Sequence, residues 1–233
     1  TITSGGSNTI VGMAGLSTNS TSNNNTAIGF ESLKATTAGN NSAGGWRSGH
    51  ENTSGADNTY FGVDGGYQNL TGSRNVAVGS GAFTGTASNS SSNNTAVGYR
   101  ALFANSTGGG NIAIGDSAAY NNTTGIRNIG LGTNITMSSA TASYEMNIGG
   151  LLFGTGMTAS GTAAAGSLGI GVAPASISAR LMLPAGTATA GTGPLGFTSG
   201  TLTTVIVSGL REFDGNHYSS NVSLNRYGTG GAI

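Results

Sequence analysis

Asn-Thr-Ala-Val-Gly at residues 94–98 and Asn-Ile-Ala-Ile-Gly at 111–115 are two copies of a short sequence that recurs along much of the chain. Similar copies start at Asn8, Asn25, Asn41, Asn58, Asn75 and Asn128, and a degenerate copy, Asn-Ile-Gly-Gly, starts at Asn147. Successive starts are 17, 16, 17, 17, 19, 17, 17 and 19 residues apart. Because a unit this short cannot bury a core alone, the units must stack on one another. The sequence therefore predicts a solenoid.

Within each unit, small and branched residues alternate. The third residue is usually alanine, the fourth is usually Val, Ile, Leu or Phe, and the fifth is glycine. A period of two over five residues indicates a short β-strand, and we expect the fourth-position aliphatic side chains to form the core. The alanine and glycine side is expected to face a tight bend or another backbone. A second apolar segment supplies Leu16, Leu33, Phe83 and Leu102 and predicts a second strand in every coil.

The composition argues against several classes of binding partner. The 233 residues include 43 glycines, 8 basic and 8 acidic residues and no cysteine. A chain without net charge lacks the electrostatic attraction that binding to nucleic acid or to an anionic membrane needs, and no apolar run approaches about 18 residues. The two histidines, His50 and His217, lie in no spacing typical of a metal site. We therefore expect no nucleic acid, no membrane insertion, and no metal or other cofactor.

Asparagine usage divides the chain near residue 150. The first 149 residues hold 21 asparagines and the last 84 hold 3. We predict a repeat β-roll over 1–149, a Gly/Ala-rich neck over 150–178 and a small C-terminal β tip over 179–233. The run Thr201 to Val207 is the most strongly β-branched segment of that tip.

The repeats resemble the head units of trimeric autotransporter adhesins, which also occur in tail fibres of phages. The later sequence is similar to tail-fibre C-terminal regions, with Leu-Gly-Ile-Gly-Val-Ala-Pro from Leu168, Leu-Pro-Ala-Gly-Thr from Leu183 and Glu-Phe-Asp-Gly-Asn from Glu212. The resemblance implies an all-β parallel β-roll in an elongated homotrimeric fibre. It also implies an extracellular location on the virion, among other tail or baseplate proteins. Association fits the composition independently, because a lone coil this polar buries little apolar area.

Two groups of residues are candidates for contact with a host-surface glycan or protein receptor. The third unit carries Trp46, Arg47 and His50, and because Gly44 replaces its aliphatic residue we expect an irregular coil there. The second group lies in the tip and comprises Tyr218, Arg226 and Tyr227. Aromatic residues in both groups could instead pack between chains.

Catalysis is the competing hypothesis, because some phage tail proteins degrade polysaccharides with paired carboxylates. Glu31 and Asp64 occupy the same position two units apart, with Arg47 between them, and Asp57 and Arg74 are expected to form another pair. An intervening cation neutralises the carboxylates, so we predict a structural charge ladder and no enzyme activity. The leading hypothesis is a structural and adhesive phage tail fibre. A bacterial adhesin head, an ice-binding solenoid and a polysaccharide depolymerase are the alternatives.

Overall fold

In the computed structural model, the described residues are 6–18, 21–86, 89–156, 167–171, 181–182, 211–213 and 218–220. They form strands and turns without any helix. The chain divides into two compact units, Thr1–Pro184 and Ala185–Ile233.

The first unit is a parallel stack of three-residue strands. These strands are β1 (Thr9–Val11), β2 (Thr26–Ile28), β3 (Ser42–Gly44), β4 (Thr59–Phe61), β5 (Val76–Val78), β6 (Thr95–Val97), β7 (Ile112–Ile114), β8 (Ile129–Leu131) and β9 (Met146–Ile148). Each strand pairs in parallel with the next, and equivalent repeat positions lie side by side, as Ala96 does with Ala113. The predicted all-β solenoid is confirmed. We number its coils one to eight from the starting asparagines, Asn8 to Asn128.

The stack ends in a reversal of the chain. Met146 pairs with Ile129, so Glu145, and not Asn147, occupies the starting position of the ninth unit. The predicted ninth start is therefore two residues too late, because Asn147 follows Met146 into the strand. Strand β10 (Leu152–Thr155) then pairs antiparallel with β9, β11 (Ser167–Ile170) pairs antiparallel with β10, and β12 (Leu181–Met182) runs parallel to β11.

The second unit contains one described hairpin. In it, β13 (Arg211–Phe213) pairs antiparallel with β14 (Tyr218–Ser220). The predicted strand at Thr201 to Val207 lies outside the described residues.

From β2 to β9 the middle residue of the strand, which is usually alanine, faces the core, and the aliphatic side does not. Alanines of the third position are fully buried at Ala27, Ala43, Ala77, Ala96 and Ala113. The fourth-position side chains that we expected inside are instead exposed or, at Val97 and Leu131, half-buried. Each coil is so narrow that alanine is the side chain that fits opposite the leucine or phenylalanine of the second segment, such as Leu102.

The second apolar segment forms turns, so the prediction of two strands per coil is wrong. Leu33 and Leu102 have φ of 48° and 51°, in the left-handed region that ordinary residues rarely occupy. Their backbone N–H groups still donate between coils, as that of Leu102 does to the Ala118 carbonyl at 3.0 Å. Residues with a left-handed backbone alternate with other residues along this second segment. They turn the chain so sharply that no second strand forms.

A column of buried asparagines replaces the missing apolar contacts. The Oδ1 atom of each starting asparagine accepts the backbone N–H of the next coil's starting residue, as Asn58 does from Asn75 at 2.9 Å. The Asn58 amide donates to the Gly72 carbonyl at 2.9 Å. A second buried column, not predicted from the sequence, comprises Asn52, Asn69, Asn89, Asn105 and Asn122.

The fifth-position glycines of the units lie where neighbouring coils approach each other closely. Gly12 has φ of 128°, and a Cβ atom added there would lie 2.6 Å from the carbonyl oxygen of Gly29. Neither the dihedral angle nor the space admits a side chain. The strand corners can therefore stack at sheet spacing, about 4.8 Å per coil.

Candidate functional site

The third coil, which carries the first candidate site, is regular. Strand β3 pairs in register with both of its neighbours, and Gly44 lies opposite Phe61. A Cβ atom at Gly44 would lie 2.6 Å from the Phe61 ring. The expected irregularity is therefore wrong, because the large side chain of the next coil fills the space that Gly44 leaves.

The structure brings Trp46, Arg47 and His50 together with Tyr67 of the next coil. The Arg47 guanidinium carbon lies 4.6 Å from the Trp46 ring centroid and 4.1 Å from that of Tyr67. The His50 ring stacks on Tyr67, with centroids 5.1 Å apart. Contact with two rings restricts the orientation of the guanidinium. Trp46 remains exposed, whereas Arg47, His50 and Tyr67 are half-buried.

The charged side chains around this cluster form separate pairs. Arg47 Nε lies 3.7 Å from Asp64 Oδ1, as the predicted ladder requires. Glu31, however, pairs with Lys34 at 2.5 Å and with His50 Nε2 at 3.3 Å. The hydrogen bond from Lys34 lowers the pKa of Glu31, and burial lowers the pKa of His50. Glu31 therefore stays ionised, which is the opposite of what a general acid needs.

The predicted pair between Asp57 and Arg74 is wrong. Asp57 accepts a hydrogen bond from the Asn40 amide at 3.0 Å, and Arg74 Nε donates to Asn93 at 2.8 Å. No ion pair joins the two within the described ranges. Both bonds run to the preceding or following coil, so stacked polar neighbours take the place of the expected partner.

The second candidate site is described only in part. Tyr218 opens β14 and pairs with Phe213. Arg226 and Tyr227 lie outside the described residues. The structure therefore brings together the three candidates of the third coil and leaves the tip candidates as predictions.

A second aromatic and cationic surface, three coils further along the stack, was not predicted as a site. The guanidinium carbon of Arg100 lies 4.3 Å from the Phe103 ring centroid and 5.9 Å from that of Tyr99. Arg100 is the sixth residue after its starting asparagine, as Arg47 is after Asn41. That shared position was the sequence signal, and it was overlooked because Arg100 has no acidic neighbour in the same column.

Arg100 and Phe103 separate two surface depressions. The first, of about 610 Å³, is lined by Arg100, Phe103, Ala104, Ser117, Tyr120, Asn121, Asn134 and Thr136. The second, of about 520 Å³, extends from the same two residues to Arg47, Asp64 and Tyr67. Both volumes fall within the range of small-molecule sites, and both depressions are open to solvent along one side.

The described residues contain no group of three or more His, Asp or Glu side chains that could hold a metal ion. In the same ranges there is no helix with the length and apolarity to cross a bilayer. The fold defines the chain as a parallel β-solenoid repeat protein. No family model, curated protein or solved structure matches it.

Proposed function

We propose that the chain is a non-enzymatic, structural and adhesive component of a phage tail fibre that acts outside the cell as a homotrimer. In this proposal it is joined to other tail or baseplate proteins and positions a surface against a glycan or protein receptor of the host. The proposal draws its phage context from the resemblance of the repeats and of the C-terminal segments.

The observation that carries the proposal is a stripe of exposed aliphatic and aromatic side chains along the strand face. It comprises Val11, Ile28, Phe61, Val78 and Ile114, which are 39% to 58% exposed. We call these five side chains the aliphatic stripe. They lie in one line on coils one, two, four, five and seven, and coils three and six have Gly44 and the half-buried Val97 at the same position. Val76 and Ile112 lie beside this line and are also exposed. A monomer rarely leaves so long a row of apolar side chains to water, whereas further copies of the chain would bury it.

The charge pairs support a role without catalysis. Asp64 and Glu31 each contact a cation, and the lowered pKa of Glu31 keeps it from donating a proton near neutral pH. Glycoside hydrolysis needs one carboxyl group with a raised pKa. The rigid stack of coils instead suits a protein that holds a binding surface at a distance.

Light scattering of the purified chain tests the association. We expect three times the 22.7 kDa mass of one chain. Val78→Lys combined with Ile114→Lys should give single chains with an unchanged β-rich circular dichroism spectrum. The matched control is Thr71→Lys with Thr124→Lys, two exposed turn residues outside the stripe, and it should stay trimeric. A parent protein that is folded and monomeric would overturn the homotrimer.

The adhesive role is tested with the fluorescently labelled full chain on a panel of bacteria. We expect surface labelling of some members of the panel, and weaker labelling by the dissociated Val78→Lys, Ile114→Lys variant because a trimer binds through several sites at once. Failure of the trimer to label any member would contradict adhesion and leave a spacer role.

A further inference from the structure

We propose that the first depression, between coils six and eight, binds a carboxylated sugar of an acidic polysaccharide, with the carboxylate on Arg100 and a sugar ring on Tyr120. This inference rests on the proposed adhesive function and names the class of glycan. The site is separate from Trp46 and His50, and its residues do not belong to the aliphatic stripe.

Arg100 gives the depression its charge. It is the only charged residue among those that line the first depression. Arg47 has Asp64 as a partner, but no carboxylate in the described part of the chain lies within 4.0 Å of Arg100. The nearby Asp116 carboxylate accepts a hydrogen bond from Ser117 at 2.7 Å instead. An exposed guanidinium without an acidic partner favours an anionic ligand.

The orientation of Arg100 favours a planar anion. Its guanidinium lies over the Phe103 ring, which restricts the fork of N–H donors before any ligand arrives. A guanidinium matches a carboxylate through two parallel hydrogen bonds, and less side-chain freedom is lost when the fork is already held. A carboxylate bound there would lie at the boundary between the two depressions.

The remaining wall of the depression suits a sugar ring. Tyr120 is 47% exposed and offers an apolar ring with a polar edge. Asn134 and Thr136 are also exposed and present an amide and a hydroxyl group. Asn121 is held in place, because its side chain bonds both the N–H and the carbonyl of Met137. Phe103 and Ala104 make much of the rest of the lining apolar, so the depression combines apolar contact area with small polar groups, as a sugar ring and its hydroxyl groups require.

The second depression indicates the direction in which a longer ligand would extend from Arg100. It shares Arg100 and Phe103 with the first depression and continues toward Tyr67 and Arg47. The two depressions therefore follow the stacking direction from coil three to coil eight. At the spacing of paired strands, these five steps span about 24 Å. A polysaccharide with repeated acidic units can follow that path as a chain of sugars, with one carboxylate at Arg100.

Calorimetric titration of the full chain with short oligomers of galacturonate, glucuronate and sialic acid tests the inference. We expect at least one of them to bind, and Arg100→Gln to weaken that binding about 10- to 100-fold, the loss of one charged hydrogen-bonded contact. Arg127→Gln is the matched control. Arg127 is also exposed and contacts a tyrosine, Tyr144, but it lies outside both depressions and its variant should bind as the parent does.

The methyl ester of the binding oligomer separates the two roles. The ester has no charge, so it should bind the parent about as weakly as the acid binds Arg100→Gln, and Arg100→Gln should not weaken it further. Tyr120→Ala should weaken acid and ester by the same factor, because it removes only the ring contact. Equal losses for acid and ester in Arg100→Gln would overturn the assignment of the carboxylate to Arg100.

Further outcomes test the class of ligand and separate this inference from the proposed function. An oligoglutamate peptide that binds more tightly than every saccharide would overturn the sugar in favour of an acidic protein partner. If the chain is trimeric and labels bacteria but binds none of the three saccharides, this inference fails and the proposed function stands. If the chain neither associates nor labels cells, yet binds a saccharide through Arg100, the proposed function fails and the site remains.

Discussion

Asparagine is the residue on which the core of each coil depends. Its side chain carries one acceptor and one two-proton donor, so a single residue can bond a backbone N–H and a backbone carbonyl at once. Asn58 does this with Asn75 and Gly72, and it is almost completely inaccessible to solvent. Aspartate would supply the acceptor alone, and serine would not reach both partners.

Replacing Asn58 with aspartate tests this account. The new carboxylate would face the Gly72 carbonyl and Asn41 Oδ1 without a donor. We expect Asn58→Asp to lower the free energy of unfolding by about 3–5 kcal/mol at pH 7.5, the cost of an uncompensated buried charge. Burial would raise the pKa of the new carboxyl above its unfolded value, so the unfolded state would bind fewer protons and the penalty should shrink as pH falls.

Denaturant unfolding at pH 7.5 and pH 5 measures the difference from the parent at each pH. The matched control is Asn93→Asp, an exposed asparagine with a left-handed backbone beside Arg74. It should change the free energy of unfolding by less than about 0.5 kcal/mol. A penalty for Asn58→Asp that is small, or that does not depend on pH, would contradict the proposed bonding.

The starting asparagines were visible in the sequence, but their burial was not. Asparagine is usually exposed, and a repeated asparagine next to serine and threonine is typical of turns. Its partners, such as the Gly72 carbonyl for Asn58, lie in other parts of the chain. The pairing therefore follows from the stacking register, which local sequence does not contain.

At the scale of the element, coils three and four show how a unit tolerates an exchange of large and small residues. The third position holds alanine in five of the eight units, and the ninth holds leucine or phenylalanine in four of them. Here Tyr60 occupies the third position, and Gly49 and Gly66 occupy the ninth. Cβ atoms at both glycines would collide with the Tyr60 ring. The tyrosine hydroxyl accepts a hydrogen bond from Asn69 at 2.5 Å, so the polar end of the ring is also satisfied.

The exchange of large and small residues predicts that Gly66→Leu partly restores the stability that Tyr60→Ala removes. Tyr60→Ala should cost about 3–5 kcal/mol because it leaves a cavity, and Gly66→Leu alone should cost about 1–3 kcal/mol because it overpacks the coil. The double variant restores the usual arrangement, and Leu33 and Leu102 show that leucine adopts the required backbone at this position. We expect the double variant to unfold at a higher denaturant concentration than Tyr60→Ala. Additive losses would show that the two sites do not share one space.

The sequence predicted the strands of these coils but not which side of them is buried. Both sides are apolar in Asn-Ile-Ala-Ile-Gly, so the alternation defines two faces without ranking them. The larger aliphatic side chain was expected inside, as in most sheets. The coil is too narrow for that, and Ala113 is buried while Ile114 is exposed. The left-handed turns set the width of the coil. Leu, Glu and Arg are not residues from which left-handed turns are predicted, so the sequence does not indicate this width.

At the scale of the whole molecule, the stack consists of similar units that are joined by similar interfaces. Each coil contacts the one before and the one after, and the register is the same at every step from β1 to β9. In such proteins stability is approximately the sum of the unit and neighbour terms. A complete unit should therefore be removable without loss of the fold.

Deletion of residues 94–110 tests this directly. The cut joins Asn93 to Asn111 and removes one spacing of 17 residues, so coil seven takes the place of coil six on coil five. We expect a β-rich protein whose Tm is only a few degrees lower, measured by circular dichroism. Deletion of residues 94–102 is the control, because it removes the strand but keeps the rest of the coil. An equal loss of structure in both deletions would show that the coils are not interchangeable.

The left-handed turns described above have a consequence for how the chain first acquires its structure. Residues such as Glu31, Leu33 and Arg100 are held near φ of 50°, and each carries a cost of about 1–2 kcal/mol relative to a right-handed backbone. A single coil has no neighbour whose carbonyl groups would offset that cost, so the first two coils must form together. Once they exist, each added coil finds a template already in place. We therefore expect folding to begin with a slow nucleation and to continue by rapid growth of the stack. Unfolding should begin at coil one, which has one neighbour instead of two, since β9 pairs with the strand of coil eight.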